Sequence, residues 1–180
     1  MCGIVGYVGP REATPILLDG LKRLEYRGYD SAGIAVVGDD GEVRVARSEG
    51  KLGNLTEKIA SAPPPGRFGI GHTRWATHGA PNEANAHPHM AGPVAIVHNG
   101  IIENFRELRS ELQAAGHHFE SETDSEAIAA LIADGLKRGR APGEAVKAAI
   151  QRMRGAYAIA ALFEGQEDLL VGARRGSPLV

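Results

Sequence analysis

The chain begins with the sequence Met1-Cys2-Gly3-Ile4-Val5-Gly6, and Cys2 is the only cysteine among its 180 residues. Removal of the initiator methionine would give Cys2 both a thiol and a free α-amine. A thiol has an ordinary pKa of about 8.5 and needs a base, and an α-amine with a pKa of about 7.7–8.0 can serve as one. The apolar residues after Cys2 predict a strand that would fix the terminus in a sheet. A buried structural cysteine or a frayed terminus is the alternative at this point.

Bulk composition indicates one globular domain with a sizeable core, since 43% of the 180 residues are hydrophobic and 23% are charged. The net charge of -2 gives no reason to expect nucleic acid or a membrane surface as a partner. The sequence shows neither a signal peptide nor an apolar run of about 20 residues. A single cysteine excludes an intramolecular disulfide and a multi-cysteine zinc site. We therefore expect a cytoplasmic protein, in which the thiol stays reduced.

The order of the predicted elements favours an α+β fold. Apolar and alternating runs predict strands over residues 3–9, 32–37, 43–47, 68–72, 94–98, 157–163 and 169–173. Amphipathic patterns predict helices over residues 12–24, 51–62, 104–115, 142–153, and from a capping cluster at 121–125 to residue 136. Tight turns join some strands and helices separate others, which predicts antiparallel sheets covered by helices. The last residues, 172–180, resemble the start of another strand, so we expect a piece of a longer protein.

A long irregular stretch, 73–92, follows one predicted strand, and a loop of this length is typical of a functional site. Arg74 in this stretch can hold a carboxylate in bidentate fashion, with Thr77 and nearby backbone N–H groups completing the site. The alternative is a surface arginine beside the packed Trp75. The same stretch contains His87 and His89, whose spacing lacks the i, i+4 pattern of a helical metal site. We expect these histidines to order the loop and predict no metal.

Two further polar motifs each allow two interpretations. Asn99-Gly100 ends a predicted strand, where the Asn amide and the Gly N–H can donate to an oxyanion. The alternative is a hairpin turn, because Asn-Gly is the strongest hairpin dipeptide. Asp124 precedes a helix, where a carboxylate usually caps the helix or occupies its first turn. It can bind a substrate ammonium only if that helix start faces the site.

Four motifs occur in an order that resembles a known family. They are Met1-Cys2-Gly3-Ile4, residues 26–33 (YRGYDSAG), residues 71–79 (GHTRWATHG) and residues 98–104 (HNGIIEN). Together they resemble the N-terminal glutaminase domain of the glutamine–fructose-6-phosphate aminotransferase family, within the class II glutamine amidotransferases. Met-Cys-Gly is shared across the class, whereas the second and third motifs look specific to the fructose-6-phosphate branch. The resemblance covers residues 1–180 as one domain and implies that the sugar-phosphate isomerase domains of the parent protein are absent.

The resemblance implies an N-terminal-nucleophile hydrolase fold, a four-layer αββα sandwich of two antiparallel sheets. It also implies catalytic roles for three residues. Cys2 would be the nucleophile, with its own α-amine as the general base. Asn99 and Gly100 would form the oxyanion hole.

Substrate binding is likewise implied by the resemblance. Arg74 with Thr77 and His78 would hold the α-carboxylate of glutamine, and Asp124 would hold its α-ammonium group.

The resemblance implies roles for three further residues. Arg27 and Tyr29 would lie in the loop that closes over glutamine, and Trp75 would link the glutaminase site to the synthase domain of the parent protein.

The implied reaction is hydrolysis of L-glutamine to glutamate and ammonia through a Cys2 glutamyl thioester, without a cofactor. In the parent, a homodimer, a C-terminal isomerase domain would use the ammonia to convert fructose-6-phosphate to glucosamine-6-phosphate for amino-sugar biosynthesis. Two alternatives are the glutaminase domain of an amidophosphoribosyltransferase and a glutamine-binding regulatory domain without catalysis.

Overall fold

The computed structural model describes residues 2–75 and 79–180. Within these ranges, the strands are β1 (Gly3–Val8), β2 (Ser31–Val37), β3 (Val43–Glu49), β4 (Phe68–Arg74), β5 (His89–Ala91), β6 (Val94–Ile102), β7 (Gly155–Phe163) and β8 (Val171–Arg175). The helices are α1 (Ala13–Leu24), α2 (Leu52–Ile59), α3 (Phe105–Ala114), α4 (Asp124–Lys137) and α5 (Pro142–Arg152), and a short 3-10 helix covers Glu25–Arg27.

The first sheet has the strand order β1-β4-β2-β3, and all of its pairings are antiparallel. Helices α1 and α2 cover its outer face. Two glycines of β4 allow α1 to approach closely, because a Cβ atom on Gly69 would lie 2.6 Å from Leu17 Cδ1 and one on Gly71 would lie 3.0 Å from Leu21 Cδ1. The apolar face of α1 therefore packs directly on the backbone of β4.

The second sheet has the strand order β5-β6-β7-β8, again antiparallel throughout. Helices α3, α4 and α5 cover its outer face. Most side chains of α4 are buried, since this helix contacts β6 and β5 on one side and α3 and α5 on the others. The first residue of α4 lies beside β6. The packing of α4 therefore also fixes the position of its N-terminus next to the sheet.

The two sheets face each other, which gives the predicted four layers of helices, sheet, sheet and helices. The contact between them contains an apolar cluster, here called the seam, which is drawn from both sheets: Ala35, Val37, Val43, Ile70, Ala95, Val97, Ala160 and Leu162. The prediction of an α+β fold with two antiparallel sheets is confirmed.

Two local predictions differ from the structure. Residues 73–92 were expected to be irregular throughout, but His89–Ala91 forms β5 and pairs with residues 94–96 across a turn at Gly92 (φ +51°). Asn99-Gly100 was expected to end a strand, with a hairpin turn as the alternative, but β6 continues to Ile102. Both residues pair with β7, opposite Ala158 and Tyr157 respectively, so the turn interpretation is wrong. Among the described residues, none of the helices combines the length and apolar character needed to cross a membrane.

Candidate active site

Cys2 lies directly before β1 and is held by the neighbouring strand. Gly3 pairs with Thr73 of β4, which places Cys2 next to the residues that follow it. The backbone N–H of Trp75 donates to the Cys2 Sγ at 3.2 Å, and Sγ lies 3.5 Å from the Trp75 carbonyl oxygen. The pairing of β1 thus fixes the position of the thiol, as the apolar sequence after Cys2 predicts.

The surroundings of Cys2 oppose ionisation of its thiol. Burial raises the pKa of the thiol and the Asp30 carboxylate adds to the rise, whereas the Trp75 N–H and the Arg74 guanidinium lower it. A thiol in this position therefore needs a base to react near neutral pH. The expected base is the α-amine that appears on Cys2 when Met1 is removed, and Met1 lies outside the described residues.

Asn99 lies opposite Cys2 on the inward face of β6. Its amide nitrogen Nδ2 donates to the Cys2 carbonyl oxygen at 3.1 Å. Gly100 follows with a φ of +128°, and a Cβ atom there would lie 2.1 Å from the Ala156 carbonyl oxygen. Only glycine fits this conformation and this contact. The strand pairing thus requires glycine at position 100, and Asn99 before it brings a side-chain amide next to Cys2.

Arg74 ends β4 and is 4% exposed. Its Nη1 donates to the Ala80 carbonyl oxygen and its Nη2 to the Gly79 carbonyl oxygen, both at 3.3 Å, while Asp30 Oδ1 lies 3.7 Å from Nη1. These contacts hold a buried guanidinium at the rim of the site. Thr77 and His78, which were expected to assist Arg74, lie outside the described residues.

Asp124 is the first residue of α4, and Thr123 is the N-cap that accepts a hydrogen bond from the Glu126 N–H. The carboxylate of Asp124 turns toward β6, where its Oδ2 accepts from the Ile102 N–H at 2.8 Å. The Ser125 hydroxyl lies 3.4 Å from its Oδ1. Asp124 therefore occupies the first turn without capping the helix, and it presents a 7% exposed negative charge on the same side as Cys2.

A cavity of about 710 Å³ brings most of the predicted site residues together. Seven of them line it: Cys2, Arg27, Arg74, Trp75, Asn99, Gly100 and Asp124. Tyr29 does not line it, but its ring contacts the Trp75 ring edge-on, with centroids 5.3 Å apart. One space thus contains a thiol, an amide donor, a guanidinium and a carboxylate, while the roles of these groups stay predictions.

Four buried histidines lie in or next to the lining of this cavity and were not predicted as site residues, and His87 and His98 are the two that line it. With Ser125 they form a group that we call the polar end: His72, His87, His89, His98 and Ser125. The Ser125 hydroxyl lies 2.8 Å from His87 Nε2 and 2.9 Å from His98 Nδ1. The His72 and His87 rings stack with centroids 4.1 Å apart. The alternation of β4 offered one signal, because His72 falls on the same strand face as Arg74.

Burial keeps these histidines neutral. It lowers the pKa of His72 to about 4 and that of His89 to about 3, and it also lowers the pKa of His87. The pKa of His98 is lowered by burial too, although the Asp124 carboxylate, 3.9 Å from its Nδ1, acts in the opposite direction. Near pH 7 the His98–Asp124 contact is therefore not an ion pair. Over residues 2–75 and 79–180, no group of three or more His, Cys, Asp or Glu side chains could hold a metal ion.

Comparison with known proteins gives consistent matches. The family model described as "Glutamine amidotransferase domain" matches residues 72–176. Glutamine–fructose-6-phosphate aminotransferase (isomerizing) of Zymomonas mobilis is 57% identical over 180 residues, all of this chain and 30% of that protein. The enzyme of the same name from Gluconobacter oxydans is 60% identical over 179 residues, 99% of this chain and 29% of that protein. The chain thus spans about a third of the length of these curated relatives.

Solved structures show the same fold. Glutamine phosphoribosylpyrophosphate amidotransferase from B. subtilis, complexed with ADP and GMP, matches with a TM-score of 0.77 at 27% identity, covering 91% of this chain and 35% of that one. A structure described as the allosteric regulatory enzyme of purine biosynthesis matches with a TM-score of 0.75 at 27% identity, covering 90% of this chain and 35% of that one. The predicted N-terminal-nucleophile hydrolase fold is confirmed.

Proposed function

Because the chain belongs to the glutamine amidotransferase domain family, we propose that it hydrolyses L-glutamine to glutamate and ammonia through a thioester on Cys2. One observation carries the proposal: the thiol, the Asn99 amide, the Arg74 guanidinium and the Asp124 carboxylate line a single cavity. These groups match the chemistry of glutamine, which has two charges at one end and a neutral amide at the other.

Arg74 and Asp124 bind the charged end of the substrate in this proposal. Arg74 is 4% exposed and Asp124 is 7% exposed, so both charges act in surroundings that screen them weakly. Arg74 takes the α-carboxylate and Asp124 takes the α-ammonium group. A substrate that lacks either charge loses one of these two charge-assisted contacts, and it is therefore bound poorly.

The chemical steps use only groups of this chain and water. The freed α-amine of Cys2 takes the thiol proton, and the thiolate attacks the side-chain carbonyl carbon of glutamine. The Asn99 amide and the Gly100 N–H donate to the oxyanion, and loss of one such donor typically costs about 2.7–4 kcal/mol of barrier. The protonated amine gives its proton to the departing nitrogen, and ammonia leaves. Water then cleaves the thioester, which releases glutamate and restores the thiol.

The proposal extends to a longer protein of which residues 1–180 are the glutaminase domain. In that protein, a C-terminal isomerase domain uses the ammonia to form glucosamine-6-phosphate from fructose-6-phosphate, and Trp75, which is 48% exposed, contacts that domain. Identities of 57–60% to relatives named for fructose-6-phosphate, against 27% to the phosphoribosylpyrophosphate enzyme, support this acceptor. We also propose that the longer protein is a homodimer. We place it in the cytoplasm, because a reducing compartment preserves the Cys2 thiol.

The test measures glutamate release from glutamine by the purified chain, after mass spectrometry confirms loss of Met1. Cys2→Ala should reduce the rate to background, since removing a nucleophile typically costs about 10⁶-fold in kcat. Asp124→Asn should mainly raise KM. Asp134→Asn is a matched control on the same helix, because Asp134 pairs with Arg138 and does not line the cavity.

Two outcomes would contradict the glutaminase proposal. One is full-rate turnover by Cys2→Ala, and the other is no turnover by the correctly processed chain, which would favour a regulatory glutamine-binding domain. The acceptor is tested separately with fructose-6-phosphate. The 180-residue chain should form no glucosamine-6-phosphate, whereas a chain that also contains the isomerase domain should form it.

A further inference from the structure

The side-chain amide of Asn99 is held at both of its ends. Its Nδ2 donates to the Cys2 carbonyl oxygen at 3.1 Å, and its Oδ1 lies 2.8 Å from His72 Nε2. An asparagine side chain can rotate by a half turn and exchange these two atoms. The contact with His72 therefore decides whether the nitrogen or the oxygen of the amide faces the nucleophile.

The proton on His72 can be assigned from its contacts. Its Nε2 also lies 3.1 Å from the His98 carbonyl oxygen, which can only accept a hydrogen bond. Nε2 therefore carries a proton, and it donates to both the carbonyl oxygen and the Asn99 oxygen. His72 Nδ1 has no hydrogen-bond partner among the described residues, as expected for the unprotonated nitrogen of a neutral ring. Burial, which lowers the pKa of His72 to about 4, keeps the ring in this form near pH 7.

We propose that His72 is the positioning residue of the oxyanion hole: by donating from Nε2 to the Asn99 oxygen, it keeps the Asn99 nitrogen facing the substrate oxygen that becomes negative when Cys2 attacks. The inference rests on the proposed glutamine hydrolysis. His72 itself does not line the cavity and acts through Asn99. Without its N–H, the amide is free to turn its oxygen toward the developing negative charge.

The packing of His72 supports a precise orientation. The side chain is fully buried, and its ring stacks on the His87 ring with centroids 4.1 Å apart and planes 29° apart. The backbone at His72 is fixed by pairing with Ile4 of β1 and Gly33 of β2. Neighbouring strands thus fix the backbone of His72 on both sides, and another ring covers one face of its imidazole, so the direction of its N–H is restricted.

The first experiment compares three substitutions in the 180-residue chain with Met1 removed. His72→Leu removes the donor while roughly keeping the volume, and it should lower kcat by about 10–10³-fold, up to the loss expected for a missing oxyanion donor. KM for glutamine should change by less than about threefold, because Arg74 and Asp124 are untouched. His72→Gln should recover most of kcat, since its amide nitrogen reaches the position of Nε2. His72→Asn is too short to reach it and should not.

Two readouts separate positioning from a merely structural role. Alkylation of Cys2 by iodoacetamide forms no oxyanion, so His72→Leu should react at the rate of the unsubstituted chain. In an Asn99→Ala background, His72→Leu should lower kcat by less than about twofold more, because two residues that act through one group are not additive. If His72→Leu does not fold, the contrast between His72→Gln and His72→Asn still tests the proposal.

The inference is overturned if kcat of a folded His72→Leu chain stays within about twofold of the unsubstituted chain, a change of under 0.5 kcal/mol. It is also overturned if the effects of His72→Leu and Asn99→Ala on kcat multiply. Equal kcat values for His72→Gln and His72→Asn would overturn it as well. These results differ from failure of the proposed function, in which the unsubstituted, processed chain itself releases no glutamate.

Discussion

The seam and the polar end are built from the same strands but have opposite chemistry. On the inward face of β4, Ile70 belongs to the seam and His72 to the polar end, and Arg74 follows at the cavity. On β6, Val97 belongs to the seam and Asn99 faces Cys2. Because side chains alternate along a strand, every second residue stays on the inward face. One pairing register therefore builds both the dry core and the candidate site.

The two regions stabilise the fold in different ways. In the seam, burial of apolar surface is non-directional and does not depend on pH. In the polar end, stability requires neutral histidines with correctly oriented hydrogen bonds, because buried polar groups without partners are costly. The comparison predicts that changes in pH and in hydrogen bonding act on the polar end, whereas changes in side-chain volume act on the seam.

The largest expected effect is that of acid on stability. His72 and His89 have folded pKa values of about 4 and about 3, against about 6.5 for an unfolded histidine. Below about pH 6.5 the unfolded chain binds more protons, so the free energy of unfolding falls as the pH drops toward the folded values. From pH 7 to pH 5 we expect a loss of about 2 kcal/mol for each histidine, or about 4 kcal/mol for the pair.

Urea denaturation at a series of pH values would measure this loss. His89→Gln provides the specific comparison, because it removes one titrating group while keeping a donor near Thr123 Oγ1, which lies 3.1 Å from His89 Nε2. It should flatten the slope by about 1 kcal/mol per pH unit between pH 6 and pH 5. An unchanged slope would mean that His89 does not contribute to the acid sensitivity.

The next largest effect is expected from a cavity in the seam, which should lower stability without changing kcat. Leu162 is fully buried in β7 and pairs with Ala95 of β6. Leu162→Ala should lower the free energy of unfolding by about 3 kcal/mol, within the 2–5 kcal/mol typical of such cavities. Its kcat at a temperature where the chain is fully folded should stay within about twofold. Val8→Ala, at a 45% exposed position, is the control, with a stability change within about 0.5 kcal/mol. A large loss of kcat in Leu162→Ala would show that the seam also orders the site.

The sequence predicted the strands that carry the seam, but not the hydrogen bonds of the polar end. The apolar runs at residues 32–37 and 94–98 predict strands, and those strands are present as β2 and β6. The placement of Cys2 before a strand also follows from the sequence, since Gly3–Val8 is apolar and begins at the second residue after the terminus. These predictions succeed because they depend on local periodicity.

The remaining features depend on contacts between distant residues. His72 and Asn99 are 27 positions apart, and Ser125 meets His87 across 38 positions, so no local pattern indicates either hydrogen bond. The Asn-Gly dipeptide favoured a turn locally, but pairing of β6 with β7 kept it in a strand. Tertiary pairing outweighed local turn preference there, and the same pairing produced the amide donor beside Cys2.

A smaller effect is expected when one hydrogen-bonding group is removed from the polar end. The Ser125 hydroxyl is buried and contacts both His87 Nε2 and His98 Nδ1. Ser125→Ala leaves these nitrogens without that partner and should lower the free energy of unfolding by about 2 kcal/mol. Ser110→Ala, on the exposed face of α3, is the matched control and should change it by less than about 0.5 kcal/mol. If Ser125→Ala and Ser110→Ala lower the free energy of unfolding equally, the Ser125 hydroxyl does not stabilise the polar end.

The smallest expected effect is the loss of one methyl group next to His72, which tests where the seam ends and the polar end begins. Ile70 lies two residues before His72 on the same face of β4, and Ile34 lies on the outer face of β2, against α1. Both are fully buried, so Ile70→Val and Ile34→Val remove the same methyl group from different sides of one sheet. Each should lower the free energy of unfolding by about 1 kcal/mol and leave kcat unchanged. If Ile70→Val lowers kcat and Ile34→Val does not, the packing of Ile70 contributes to the orientation of His72. Ile70 would then support the candidate site as well as the apolar core.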